Sequence, residues 1–345
     1  MEPKHILVIR LSAMGDVAMT IPVLKTLTKQ HSNLKITVVS KAFLQPLFED
    51  IDNLNFYAAD VNGKHKGIKG IYKLYQELTL FKIDAVADLH NVLRSKILRS
   101  FFKLNGTPIA CINKGRTEKK ALTALKNKLF KPLKTTHQRY ADVFESLGFT
   151  LNLSKPTFKD KQPLLEELKP IFNYQEQDKM IGIAPFSAHQ GKNYPLELME
   201  KVIEELSKHA KILLLGGGQK EISVLTELTK KYNNTYCVAG KTKLKAELNL
   251  ISNLNAMISM DSGNGHFSAM YGVPTITIWG ATHPFAGFAP FNQTENCICA
   301  DRNQYPLLPT SVYGNKIIPG YEKVMETITP NTIINKALST IKQIC

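Results

Sequence analysis

Three glycine-bearing loops carry the residues best placed to do chemistry. The first, Arg10-Leu11-Ser12-Ala13-Met14-Gly15-Asp16, leads from an apolar run into an amphipathic one. Asp16 there admits two readings. It either caps the following helix, worth about 1 kcal/mol, or serves as a general base that takes a hydroxyl proton. The second loop, Asp261-Ser262-Gly263-Asn264-Gly265-His266, sets two glycines, a hydroxyl and a histidine at a helix start, which suits an anion such as phosphate. Gly263 and Gly265 imitate the opening of the dinucleotide fingerprint, but Ser268 stands where its third glycine belongs. No Asp or Glu follows before Glu295 to hold a ribose, so a nicotinamide cofactor is disfavoured and another nucleotide's diphosphate stays open. The third loop, residues 185–195, offers Ser187 and Lys192. Lys192 is either a compact charge for a phosphate or a solvated loop lysine. Gly216-Gly217-Gly218 would let the backbone approach a ligand, with Glu221 near a ribose or base.

These loops need a frame that holds them at strand ends, and the sequence alternates accordingly. Short β-branched runs predict strands over 5–11, 35–39, 55–58, 84–89 and 108–112. Amphipathic stretches predict helices over 16–30, 42–49, 71–81, 94–104, 118–130 and 137–147. A proline-bearing stretch over 150–178 reads as a linker. The alternation then restarts, with strands over 180–184, 212–215, 235–238, 256–260 and 275–279. Helices fall over 195–209, 220–232, 244–254, 265–271 and 331–344. Fully apolar strands separated by helices indicate parallel sheets covered on both faces. The expectation is an α/β protein of two Rossmann-like domains, 1–165 and 166–345, facing across a cleft, with a closing C-terminal helix. Ligands in such sheets bind beyond the carboxyl ends of the strands, where all three loops lie.

The chain has 345 residues, enough for two cores, and a formal charge of +15. Residues 1–168 hold 27 Lys and Arg against 15 Asp and Glu, whereas 169–345 hold 17 against 14. That imbalance predicts an anionic partner engaged by the first half. Nine of the basic residues and one Glu fall within 114–139, where Leu122, Leu125 and Leu129 would share one helical face. Such a segment, including Lys119 and Lys120, suits an anionic membrane surface or an acidic, phosphorylated saccharide, unless it is simply a solvated helix. His90, Arg94 and Arg99 follow the 84–89 strand, and the two arginines are further candidates for anions. Nucleic acid is disfavoured, because Phe130 is the one aromatic ring available for stacking in the basic segment. Five scattered cysteines make no disulfide framework, which favours a reducing cytoplasm. Cys297 and Cys299 lack a second ligand pair at zinc spacing, and Asp50-Ile51-Asp52 sits in a hydrated acidic run, so no metal is expected. The start lacks a signal peptide's apolar stretch, and residues 262–294, though without Asp, Glu, Lys or Arg, are too broken by Gly, Pro, Asn and His to span a membrane.

Taken together, LSAMGDVAMTIPVLKTL, APFSAHQGKNYP and DSGNGHFSAMYGVPTITIWGATHP resemble the lipopolysaccharide heptosyltransferases of glycosyltransferase family 9. The resemblance runs from about residue 5 to the end. It implies the GT-B fold and an inverting, metal-independent transfer of heptose from ADP-heptose, a substrate and not a cofactor, to the lipopolysaccharide inner core. It also implies an enzyme peripheral to the cytoplasmic membrane's inner face, with a lipid-linked anionic oligosaccharide as acceptor. By the same resemblance, Asp16 is the catalytic base, presented by a loop that Ser12 and Gly15 shape. Lys192 lies near the donor diphosphate, and Asp261, Ser262, Gly263, Gly265 and His266 form the donor loop, with Ser187 beside it. Glu221 would sit at the ribose and Thr242 near the base. His90, Arg94, Lys119 and Lys120 are the remaining candidates for the acceptor. The sequence has Tyr194 where the family commonly has Trp. A nucleotide-sugar epimerase, a different sugar donor, or a nucleotide-sugar-binding protein without catalysis are the alternatives.

Overall fold

β1 (His5–Ile9) is fully buried from Ile6 onward, as an unbroken aliphatic strand between two helical layers must be. The computed structural model describes residues 4–342. After β1 come α1 (Met14–Ala18), α2 (Ile21–Gln30), β2 (Lys35–Ser40), β3 (Leu54–Ala58) and α3 (Gly67–Thr79). Then follow β4 (Ala85–Asp88), α4 (Leu93–Leu104), β5 (Ile109–Cys111), α5 (Arg116–Leu122) and α6 (Thr136–Glu145). The five strands form one parallel sheet in the order β3-β2-β1-β4-β5. The single helix expected over 16–30 is two. Pro22, second in α2, has no N–H to continue the ladder, and Thr20 Oγ1 donates to Val17 O at the break. The helix expected over 42–49 is a 3-10 turn, Ala42–Leu47, with Pro46 inside it.

A second series comprises β6 (Met180–Ala184), α7 (Leu196–Leu206), β7 (Lys211–Leu214), α8 (Gln219–Lys231), β8 (Thr235–Cys237) and α9 (Leu244–Ser252). It continues with β9 (Ala256–Met260), α10 (Gly263–Ala269), β10 (Thr275–Trp279), β11 (Cys297–Cys299) and α11 (Pro330–Lys342). These strands form a parallel sheet in the order β11-β10-β9-β6-β7-β8. Ile333, Ile334, Ala337 and Ile341 of α11 join the core made by β6, β9, β10 and α7. The last two positions of the helix expected over 331–344 lie outside the described residues. β11 has no counterpart among the expected strands, since three residues give too little periodicity to read.

The chain divides into two units. One is the chain up to Lys114 with Thr136–Lys159; the other is Gly115–Thr135 with everything from Asp160 onward. The basic segment 115–135 therefore belongs with the second series, unlike the sequence division at 165/166. The charge imbalance goes with it: the first unit has 19 Lys and Arg against 11 Asp and Glu, the second 25 against 18. The helix expected over 118–130 is also corrected, because α5 stops at Leu122. Its carbonyls at Ala121 and Leu122 accept from Leu129 N and Lys128 Nζ, and Asn127 is left-handed at φ 51°. Leu122 is buried, while Leu125 and Leu129 are exposed and share no helical face with it.

Candidate functional site

In the first sheet, β1 connects to β2 on one side and β4 lies on the other, so the strand order reverses between β1 and β4. Ligands favour such a point because the loops leaving the two strands part there. Asp16 is the third residue of α1, not its cap, and its carboxylate faces back along the loop. Asp16 Oδ2 is 2.6 Å from Arg10 Nη2 and 3.4 Å from Ala13 N. Arg10 leaves β1 buried, donates to Leu89 O at 2.7 Å and lies 5.9 Å from the Tyr140 ring. Tyr140 OH donates to Asp16 O at 3.1 Å, so both backbone and side chain of Asp16 are held.

His90 reaches the same place from β4. Its backbone N donates to Asp88 Oδ1 at 2.9 Å, and its Nε2 is 3.5 Å from Ser12 Oγ. Burial, then the charges of Arg10 and Lys114, push its pKa down to about 3, so the ring is neutral at physiological pH. Its buried Nδ1 has no hydrogen-bond partner among the described residues. Gly15 stands one residue before Asp16 in α1, and Arg94, half-buried, is close enough to lower the His90 pKa further. Arg99 does something else: its Nη1 donates to buried Asp88 Oδ2 at 2.8 Å, bracing the turn that presents His90. Sequence reasoning missed Arg10, Asp88 and Tyr140. A charged residue ending an aliphatic strand, as Arg10 does, was the available signal.

The second sheet reverses between β6 and β9, and there the other two loops meet. Lys192 Nζ lies 2.8 Å from Asp261 Oδ2 and 3.1 Å from Asp261 O. Gly265 lets α10 pack tightly on the sheet, since a Cβ there would come within 2.7 Å of Ser259 Oγ. The half-buried Ser262 and Thr242 have buried hydroxyls without hydrogen-bond partners among the described residues. His266 is buried in α10, beside Gly263 at its first position. Glu221, in the first turn of α8, accepts from Gly217 N at 2.8 Å and so borders the glycine run. Ser187 turns inward, its N and Oγ both donating to Asn193 Oδ1, which shapes the Lys192 loop. Tyr194 is buried, with its hydroxyl donating to Ile328 O at 2.6 Å, a packing role.

Lys119 and Lys120 lie on α5 and belong to the second unit, whereas Asp16 belongs to the first. The Lys119 ammonium sits 3.8 Å over the Phe288 ring, and Lys120 is exposed. On β11, burial raises both cysteine thiols, Cys299 to about 12, which disfavours the thiolate a metal would need. Among the described residues no three His, Cys, Asp or Glu side chains cluster as metal ligands, and no helix is long and apolar enough to cross a membrane.

Residues 71–315 match the family described as Glycosyltransferase family 9 (heptosyltransferase). The chain is 24% identical over 312 residues to the lipopolysaccharide core heptosyltransferase OpsX of Haemophilus influenzae, covering 86% of this chain and 84% of that one. The solved glycosyl transferase family 9 protein of Veillonella parvula superposes with a TM-score of 0.75 at 20% identity, over 99% of this chain and 98% of that one. E. coli heptosyltransferase WaaC, solved with ADP, superposes with a TM-score of 0.68 at 17% identity, over 97% and 99%. These likenesses establish the GT-B fold for both sheets.

Proposed function

The chain belongs to glycosyltransferase family 9, and from that premise we propose that it transfers heptose from ADP-heptose to the lipopolysaccharide inner core with inversion. The observation that carries this reading is the paired arrangement at the two sheet reversals: Asp16 held by Arg10 on one unit, Lys192 held by Asp261 on the other. Asp16 Oδ1, which carries neither contact given above, takes the proton of the acceptor hydroxyl. The freed oxygen attacks the anomeric carbon, the bond from that carbon to the phosphate oxygen breaks, and ADP leaves with the electron pair. Lys192 offsets the charge growing on the departing diphosphate, so the reaction draws its cation from the chain. Gly263, Gly265 and His266 border the phosphates, Ser262 and Thr242 supply hydroxyls, and Glu221 meets the ribose. On the acceptor side, neutral His90 accepts or donates at Nδ1 beside Ser12, and Arg94 offers a charge. OpsX is named for the lipopolysaccharide core, and that name supports the acceptor class. A lipid-linked acceptor brings the enzyme to the inner face of the cytoplasmic membrane as a peripheral protein.

The test is Asp16→Asn, assayed with ADP-heptose and an inner-core acceptor. Loss of a general base lowers kcat by about 10²- to 10⁴-fold, while ADP affinity by calorimetry stays within about twofold of wild type. Turnover that survives the substitution removes Asp16 from the chemistry. Tighter binding of a UDP- or GDP-sugar than of ADP-heptose overturns the donor.

A further inference from the structure

The second unit contains a cavity of about 750 Å³ that the donor residues do not line. One wall is α5 and the residues after it; the other is the loop from Thr310 to Ile318. Arg116, Lys119, Lys120 and Lys316 converge on it, and no Asp or Glu is among its lining residues. The Lys119 ammonium is already engaged over the Phe288 ring, and the remaining three cations, Arg116, Lys120 and Lys316, repel one another around one space unless an anion joins them. Thr310 is a second and independent pointer. It is buried, its backbone N donates to Ala281 O at 3.0 Å, and its hydroxyl, although buried, has no partner among the described residues. A buried hydroxyl left over at the rim of a cationic cavity is a ready donor to a ligand oxygen. The rest of the wall is mixed, with apolar Leu125, Val312 and Ile318 beside polar Thr123, Ser311 and Asn315, and Tyr313 is exposed enough to stack on a sugar ring.

The cavity's loop is tied to the donor site. Gly191 N donates to Gly314 O at 3.1 Å, and Ala281 N donates to Gly191 O at 2.9 Å. Gly314, at φ 74°, packs directly on the Lys192 stem, so no other residue fits there without displacing that lysine. An anion in the cavity thus neighbours the donor's lysine without sharing it. We propose that the cavity takes a phosphate ester carried on a saccharide, the phosphorylated part of the acceptor, so that the second unit anchors acceptor as well as donor. This rests on the heptosyltransferase reading for the acceptor's role, though not for the phosphate site itself.

The full chain, saturated with ADP to fill the donor site, is titrated calorimetrically with glucose 1-phosphate, inorganic phosphate and glucose. Wild type binds glucose 1-phosphate more tightly than inorganic phosphate and does not bind glucose. The double variant Arg116→Gln/Lys316→Gln loses roughly tenfold or more in glucose 1-phosphate affinity, and Thr310→Val loses less. ADP affinity, unchanged, reports that both variants fold. In transfer assays the double variant raises KM for a phosphorylated acceptor about tenfold with kcat within about twofold. A phosphatase-treated acceptor then gives wild type and variant the same KM. Equal glucose 1-phosphate affinity in wild type and the double variant overturns the site. Equal affinity for inorganic phosphate and glucose 1-phosphate overturns the saccharide, and binding confined to phosphatidylglycerol vesicles overturns it in favour of a membrane surface. If wild type transfers nothing from ADP-heptose yet the variant still loses glucose 1-phosphate, the acceptor role falls and the phosphate site stands.

Discussion

Each unit holds one of the site's ion pairs at its sheet reversal, Arg10 with Asp16 and Lys192 with Asp261, and these two are built with opposite polarity. In the first unit the cation is buried and the carboxylate faces out: Arg10 is 6% exposed and Asp16 34%. In the second the carboxylate is buried and the cation faces out: Asp261 is 6% exposed and Lys192 16%. In each, the inner partner fixes the outer one. On the proposed reading, one unit offers a proton acceptor and the other a counter-charge for phosphate, from the same architectural position. The two cations also differ in kind. Arg10, with five donors in a fixed fork, reaches Asp16, Leu89 O and the Tyr140 ring together, whereas Lys192 is a compact charge on a flexible stem.

The comparison can be broken in graded steps. After the Asp16→Asn loss described above, Lys192→Met is expected to cost about 10²- to 10³-fold in kcat, with weaker ADP binding, because a charge aimed at the leaving group is gone. Undiminished ADP affinity in that variant would place Lys192 outside the donor site. Arg10→Lys keeps the charge but loses the fork, so kcat should fall on the order of tenfold while ADP affinity holds. A matching loss of ADP affinity would mean that Arg10 supports the whole fold instead of orienting Asp16.

The smallest effect concerns pH and also belongs to one unit. His90 is held neutral, its pKa near 3 against about 6.5 when unfolded. Between those values the unfolded chain binds a proton that the folded chain does not, so stability falls as pH drops from about 6.5 toward 3. His90→Gln should flatten that part of the denaturation midpoint against pH, leaving the slope above pH 7 as it was. An unaltered acid slope would show that other groups govern it.

Much of the frame is legible in the residues. Val8, Ile183, Ile258 and their neighbours are aliphatic on both faces of their strands, and only a parallel sheet between helical layers buries both. The break at Pro22 was equally open to reading, since proline withholds the N–H a continuous helix needs. The loops at 10–16, 185–195 and 261–266 are legible too, as glycine and polar residues concentrated at strand ends. Their partners are less so: Asp16 is joined by Tyr140, 124 residues on, and Lys192 by Asp261, 69 residues on. Such pairings depend on strand order, which local periodicity does not encode.

The basic segment shows where that boundary falls. Composition along the chain determined that 114–139 is cationic and that something anionic should meet it. Which unit carries that charge is a tertiary matter. Lys128 Nζ donates to Pro309 O, Leu133 N to Phe285 O, and the Arg302 guanidinium lies over the Phe130 ring, so residues 115–135 pack with a part of the chain more than 150 residues away. Charge adds up along the sequence whatever the fold. Its convergence on one cavity is a property of position, and position comes only from the packing that brings distant segments together.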